Sequence, residues 1–178
     1  GGEDNTLPSV RKAFYEYIES ISVPTSLRFQ YNSWYDYMKD ITEQNIMTSF
    51  AEVHKQLQAY GAPELAAYVV DDGWPNVKAD FWSFNKKFPN KLTNVTALCN
   101  EMGSKFGLWL GPRGGYTRPD KIAKRYQRAG NGYLNKEAQE ICVASSKYVE
   151  KLGDFLVETT NEFDIDYWKL DGFCLKPC

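Results

Sequence analysis

The residues of this chain that could carry acid–base or nucleophilic chemistry follow directly after short apolar segments. Asp71 and Asp72 follow one such segment, and Lys169 and Asp171 lie at the end of another. Carboxylates accept paired hydrogen bonds from neighbouring hydroxyls, and aromatic faces cover the apolar C–H faces of a pyranose ring. Three tryptophans close to the same segments could supply such faces: Trp34, Trp74 and Trp109. These residue types in this arrangement predict a sugar-binding site.

Each of these residues also has a purely structural interpretation. An aspartate after a strand can cap the next helix or close an Asx turn, and a tryptophan is more often a core residue than a ligand platform. Lys169 lies two residues before Asp171, so both side chains share one side of an extended strand. An ammonium there is expected to keep the Asp171 carboxylate ionised, although an ordinary salt bridge would look the same in the sequence.

The elements that must position these residues alternate between strands and helices. Residues 1–25 form a preface with a helix from Ser9 to Ser20, and residues 26–178 form the main domain. Asp40 and Glu43 resemble a capping box for the first helix of this domain. Apolar periodicity predicts strands at 27–31, 65–70, 106–110 and 165–170, and helices at 42–60, 91–102 and 136–163. In parallel α/β folds, ligands bind at the carboxyl ends of the strands, where the candidate residues lie.

Two architectures fit this alternation, a small doubly wound sheet and a (β/α)8 TIM barrel. No glycine-rich phosphate loop follows any strand, which disfavours the nucleotide-binding doubly wound fold. A complete barrel takes about 250 residues, whereas four strands occupy all 178 residues here. The expected fold class is therefore α/β, with the first half of a barrel (about four β/α units) present as a fragment. Its exposed edge would favour a homodimer.

Composition excludes several classes of protein. The 21 basic and 23 acidic residues nearly cancel, which excludes a generally basic nucleic-acid binder and a polybasic membrane-surface protein. No apolar run approaches the roughly 20 residues of a membrane span. One histidine and four cysteines make a metal site or a cofactor unexpected. The compartment stays open between secreted or periplasmic and cytoplasmic, and the one glycosylation sequon, at Asn94, is interpreted as chance.

Five segments resemble a known family by their order and spacing. The family is the α-galactosidase and α-N-acetylgalactosaminidase clan, clan D, of melibiase-like retaining glycoside hydrolases, and the resemblance covers about residues 27 to 174 as the N-terminal half of the catalytic barrel. The segments are Tyr-Asn-Ser-Trp at 31–34, Val-Val-Asp-Asp-Gly-Trp at 69–74, Phe-Pro at 88–89, Lys-Phe-Gly-Leu-Trp-Leu at 105–110 and Tyr-Trp-Lys-Leu-Asp-Gly at 167–172.

The resemblance implies a role for each matching residue. Asp171 would be the nucleophile, and Lys169 would bind the sugar beside it. Asp71 and Asp72 would hold the 4- and 6-hydroxyls of a galacto-configured ring. The aromatic walls of the pocket would come from Trp34, Trp74 and Trp109. No cofactor is implied.

The implied reaction is the hydrolysis of terminal α-galactosides or α-N-acetylgalactosaminides by double displacement. In this family the general acid/base comes from the sixth strand of the barrel, so the chain alone is expected to be inactive. One alternative is a non-catalytic carbohydrate-binding α/β domain that uses the same carboxylates. Another is a self-contained α/β module that binds a small ligand or a protein.

Overall fold

The structure is a computed structural model that describes residues 4–79, 81–113, 124, 133–135 and 140–172. Labels below count the described elements in chain order. The helices are α1 (Leu7–Ile21), α2 (Trp34–Tyr37), α3 (Glu43–Ala59), α4 (Thr93–Glu101) and α5 (Ser146–Phe163). The strands are β1 (Gln30–Asn32), β2 (Ala67–Val70), β3 (Lys105–Leu110), β4 (Leu134–Asn135), β5 (Glu140–Ile141) and β6 (Tyr167–Leu170).

The main sheet has four parallel strands in the order β1-β2-β3-β6. The predicted α/β class with a parallel sheet is therefore confirmed. Each strand is added beside the previous one of this sheet, always on the same side. A doubly wound sheet reverses its strand order at a switch point, and the described strands show no such reversal. This continuous order is the one that part of a barrel requires. Strands β4 and β5 form a separate antiparallel pair.

The core lies between this sheet and helices α3, α4 and α5. All four residues of β2 are buried, as the continuous apolar sequence of this segment predicts. At Gly107 in β3, an added Cβ would lie 2.9 Å from Val69 Cγ2 and 3.0 Å from Tyr167 Cδ1. The side chains of both neighbouring strands therefore close over the centre of β3, and only glycine leaves room for them.

The first and last elements of the main domain differ in length from the sequence-based prediction. Strand β1 pairs with β2 only from Gln30 to Asn32, and the side chains of Leu27 and Phe29 are exposed. The alternation of apolar and polar residues predicted a strand from residue 27, earlier than its observed start at Gln30. Alternation alone does not show whether a neighbouring strand is present to pair with residues 27–29. Helix α5 begins at Ser146 and not near residue 136, because Ile141 belongs to strand β5.

The predicted capping box at Asp40 and Glu43 is wrong. Thr42 caps α3: its Oγ1 accepts the Asn45 N–H at 3.1 Å, and the Asn45 side chain accepts the Thr42 N–H at 2.7 Å. Glu43 is instead buried and accepts hydrogen bonds from the side chains of Asn90 and Asn94. Asn94 is the sequon asparagine; the residue is exposed, and its Nδ2 donates to Glu43 Oε1 at 2.7 Å.

Helix α1 covers the predicted N-terminal helix and begins at the N-cap residue Thr6. It has no buried residue, and its apolar side chains are exposed. The division of the chain into a preface at 1–25 and a domain at 26–178 stays a prediction. Among the helices of the described residues, none combines the length and the apolar character that crossing a membrane requires.

Candidate functional site

The carboxyl ends of β2, β3 and β6 bring several predicted site residues together. Lys169 Nζ lies 2.7 Å from Asp71 Oδ2, and the two residues are 98 positions apart in the chain. Strand β3 lies between their two strands, so this ion pair spans two strand spacings, about 9.5 Å. The Lys169 side chain keeps 34% of its surface exposed, whereas that of Asp71 keeps 2%. A charge pair therefore ties the buried end of β2 to β6.

Asp71 is held in one orientation from several sides. Its backbone N–H donates to Ser33 Oγ at 2.9 Å, and its own Oδ1 accepts the N–H of Asp72 at 2.9 Å. Ser33 is completely buried at the end of β1, and its N–H donates to the Val69 carbonyl. The Oδ1 bond is to the N–H of the next residue, and it leaves the second carboxylate oxygen for Lys169.

Asp72 has a different environment. Its side chain is 7% exposed, and its Oδ2 lies 3.4 Å from Lys39 Nζ. Burial raises the pKa of Asp72 above its ordinary 3.8, while the Lys39 ammonium acts in the opposite direction. The turn continues through Gly73, whose φ of +127° is in the region that favours glycine, and a Cβ there would lie 2.7 Å from the Lys39 carbonyl oxygen.

Among the described residues, two N–H donors bind the Asp171 carboxylate next to β3. Its Oδ2 accepts from Trp109 Nε1 at 3.2 Å, and its Oδ1 accepts from the Gly172 N–H at 2.7 Å. The Asp171 N–H itself donates to the Leu110 carbonyl at 3.0 Å, which continues the sheet by one residue. These hydrogen bonds fix the orientation of the predicted nucleophile.

The predicted pairing of Lys169 with Asp171 is wrong. The ammonium of Lys169 pairs with Asp71, and among the described residues Lys169 forms no hydrogen bond or ion pair with Asp171. Residues two apart in a strand share a side, but their Cβ atoms are separated by about 6.6 Å along the strand. The long lysine side chain reaches across the sheet instead, to a carboxylate that is more deeply buried.

The three tryptophans differ in position. Trp74 is fully buried, donates from Nε1 to the Trp109 carbonyl at 2.9 Å and packs on Phe84. The Trp109 ring is 1% exposed. Both rings are therefore enclosed by protein atoms, and their role as pocket walls stays a prediction. Trp34 begins α2, is half-buried and stays a candidate wall.

Two residues of the site were missed by sequence reasoning. Ser33 lies inside the Asn-Ser-Trp segment of the resemblance, so its position next to Asp71 could have been suspected. Lys39 lies between α2 and α3, outside every strand end, and nothing in its sequence context marks it. Only the approach of that connection to Gly73 brings it to Asp72.

The described residues provide no group of three or more side chains that could hold a metal ion. Cys99 is a buried free thiol, and Cys142 is half-buried. Burial raises the pKa of the Cys99 thiol to about 12, which keeps it protonated and unreactive at neutral pH. Cys174 and Cys178 lie outside the described residues.

Comparisons with known proteins return α-galactosidases. The sequence is 24% identical, over an alignment of 192 residues, to α-galactosidase Mel36A of Lactobacillus acidophilus. The fold is similar to that of TtGalA, an α-galactosidase from Thermus thermophilus solved with stachyose, with a TM-score of 0.66 and 22% identity over 90% of this chain. It is also similar to the GH36 α-galactosidase AgaA from Geobacillus stearothermophilus, with a TM-score of 0.59 and 18% identity over 82% of this chain. No family model matches the sequence.

The chain spans only part of each of these relatives. It covers 24% of the length of the Lactobacillus protein, 36% of the Thermus chain and 21% of the Geobacillus chain. The structural likeness confirms the fold class: four parallel strands alternating with helices, similar to part of the catalytic barrel of these glycoside hydrolases. At this level of identity the likeness establishes the fold and does not by itself assign an activity.

Proposed function

We propose that this chain supplies the galactose-binding side and the nucleophile of an α-galactosidase that retains anomeric configuration. The observation that carries the proposal is that Asp71, Lys169 and Asp171 lie at the carboxyl ends of β2 and β6, on the two sides of β3, with Lys169 bridging to Asp71. Its support is twofold. The residue types suit a pyranose, and the relatives with this fold include enzymes solved with the α-galactosides stachyose and raffinose.

In this proposal the buried carboxylates select the sugar. Asp71 and Asp72 would accept hydrogen bonds from the 4- and 6-hydroxyls, which lie on the same side of a galactose ring. An ammonium has three N–H donors, and Lys169 uses one of them toward Asp71 Oδ2. Because its side chain is about one-third exposed, the remaining donors can reach a sugar hydroxyl. Trp34 would cover an apolar face of the ring.

The proposed chemistry is a double displacement. An oxygen of the Asp171 carboxylate attacks the anomeric carbon while the bond to the leaving oxygen breaks, and a general acid gives that oxygen a proton. Water, deprotonated by the same group, then releases galactose from the glycosyl-enzyme and returns the carboxylate. The N–H groups of Trp109 and Gly172 would hold Asp171 aligned for the attack.

Retaining glycosidases require two carboxyl groups about 5–5.5 Å apart. The resemblance assigns the second group to the sixth strand of the barrel, which we place outside these 178 residues. We therefore expect the chain to bind D-galactose without hydrolysing p-nitrophenyl α-D-galactopyranoside.

The test combines two measurements on the same protein. Calorimetric titration with D-galactose should give heat that Asp71→Asn abolishes, with D-glucose as the ligand control, since its 4-hydroxyl has the opposite configuration. Release of p-nitrophenol should stay at the level of a buffer blank. Absence of galactose binding would overturn the proposal, and robust turnover would overturn the assignment of the acid to another part of the barrel. N-acetylgalactosamine, tested in parallel, decides between the two sugars that the resemblance allows.

A related experiment distinguishes an enzyme from a non-catalytic carbohydrate-binding domain. A mechanism-based galactoside that traps the nucleophile should label Asp171 in a protein that contains the complete barrel. Binding of galactose without any labelling there would favour the non-catalytic function.

We further propose that the outer edge of the sheet is an association surface. Strand β6 is at the end of the sheet among the described strands, and Leu170 is 42% exposed. An unpaired parallel edge offers backbone N–H and C=O groups to another strand. Sedimentation equilibrium should detect a homodimer that weakens on dilution, and a concentration-independent monomer would contradict this.

A further inference from the structure

Lys39 contacts the site from outside the sheet. It follows Met38, whose φ of +49° turns the chain out of α2, and its Nζ lies 3.4 Å from Asp72 Oδ2. The backbone around it is fixed: the Lys39 carbonyl accepts from Lys87 Nζ at 3.4 Å, and Gly73 packs directly against the same carbonyl. The connection between α2 and α3 is thus held on the turn that carries Asp72.

Each of the two adjacent carboxylates at this turn forms an ion pair with one lysine. Asp71 pairs with Lys169 at 2.7 Å, and Asp72 pairs with Lys39 at 3.4 Å. The charged groups facing Asp72 among the described residues are Lys39 and the neighbouring Asp71, and they act in opposite directions on it. Burial and Asp71 both disfavour a negative charge at Asp72, whereas the Lys39 ammonium and, to a smaller extent, the Gly73 N–H favour it.

We propose that Lys39 is a positioning residue for sugar recognition: it keeps the Asp72 carboxylate ionised and aimed at the hydroxyls of the ligand. The ligand part of this assignment rests on the proposed function. An ionised carboxylate accepts on both oxygens, whereas a protonated one must use one oxygen as a donor. Lys39 therefore extends, toward lower pH, the range in which Asp72 can accept from two sugar hydroxyls.

The first test needs no ligand. The carboxyl carbon of Asp72 is followed by ¹³C NMR during a pH titration of the wild-type chain, Lys39→Met and Lys39→Arg. Lys87→Met is the matched control, because Lys87 contacts the same connection and has a similarly exposed side chain (39% against 47% for Lys39) without facing Asp72. Lys39→Met should move the Asp72 midpoint to higher pH, and the other two variants should not. An unchanged midpoint in Lys39→Met would overturn the assignment. Lys39→Gln repeats the measurement if the methionine variant unfolds.

The second test measures D-galactose affinity at pH 5 and pH 7. In Lys39→Met the affinity should fall about tenfold at pH 5, which corresponds to about 1.4 kcal/mol, and less at pH 7, because a higher pH favours the ionised carboxylate in either protein. Lys39→Arg should restore it. An equal loss at both pH values, or no rescue by arginine, would reduce Lys39 to a structural role. If neither the wild-type chain nor any variant binds galactose but Lys39→Met still moves the Asp72 midpoint, the proposed function fails while the action of Lys39 on Asp72 stands.

Discussion

The ion pair between Lys169 and Asp71 should contribute measurably to stability, because one partner is buried. At their separation of 2.7 Å, Coulomb's law gives about 1.5 kcal/mol in bulk water and about 6 kcal/mol at an effective dielectric constant of about 20. The Asp71 side chain is 2% exposed, whereas Lys169 keeps 34% exposure, so solvent screens part of the interaction. We expect a coupling energy of about 2 kcal/mol, below the 3–5 kcal/mol lost when a fully buried pair is broken.

A double-mutant cycle isolates this coupling. The free energy of unfolding is measured by urea titration, with tryptophan fluorescence as the signal, for Lys169→Met, Asp71→Asn and the double variant. Lys91 and Glu162 provide the matched control, since their separation is 2.6 Å but the side chains are 51% and 50% exposed. The control cycle should give at most about 0.5 kcal/mol. If the two couplings are equal, burial of Asp71 does not strengthen its ion pair and the reasoning is refuted.

Three further predictions concern stability. Gly107→Ala should lower the free energy of unfolding by about 2 kcal/mol, because the added Cβ would lie 2.9 Å from Val69 Cγ2. The control is Gly153→Ala in α5, where a Cβ would meet no atom within 4 Å and the change should be neutral or stabilising. Equal effects of the two substitutions in urea titrations would contradict this. Thr42→Ala should lower the free energy of unfolding by about 1 kcal/mol, whereas Asp40→Ala should leave it almost unchanged; thermal unfolding measures both. A larger effect of Asp40→Ala would support the capping box at Asp40 and Glu43. Asp72→Asn should raise the free energy of unfolding at pH 7 by about 0.5–1 kcal/mol, because the raised pKa means that the ionised carboxylate opposes folding. The folded state holds the proton more tightly than the unfolded state, so this gain should shrink as the pH falls through the raised pKa toward 3.8; a gain that persists unchanged in acid would contradict it.

Sequence patterns predicted the parts of the fold that depend on local periodicity and burial. The apolar run at 65–70 identified β2, which is buried on both faces, and apolar periodicity located α4 within the predicted range 91–102. The convergence of Asp71, Lys169 and Asp171 followed from one topological rule, that parallel strands bring their carboxyl ends to one edge. No side-chain geometry was needed for that step.

The remaining features depend on tertiary contacts that no local pattern encodes. The partner of Lys169 is on another strand, and the choice between Asp71 and Asp171 depends on side-chain reach across β3. Trp74 was assigned to a pocket because of its neighbours in the chain, but its indole N–H finds the Trp109 carbonyl inside the core. Lys39 reaches Asp72 because the connection before α3 folds back onto Gly73.

The contact between Lys169 and Asp71 also has a consequence for how the chain acquires its shape. The two residues are 98 positions apart, and Asp71 is without this cation until β6 has docked beside β3. Contacts of such sequence separation form late, because a long loop must close first. During refolding, a sugar added to the solution should therefore be captured only after the phase in which β6 docks, and its capture would report that the last strand of the sheet has taken its place.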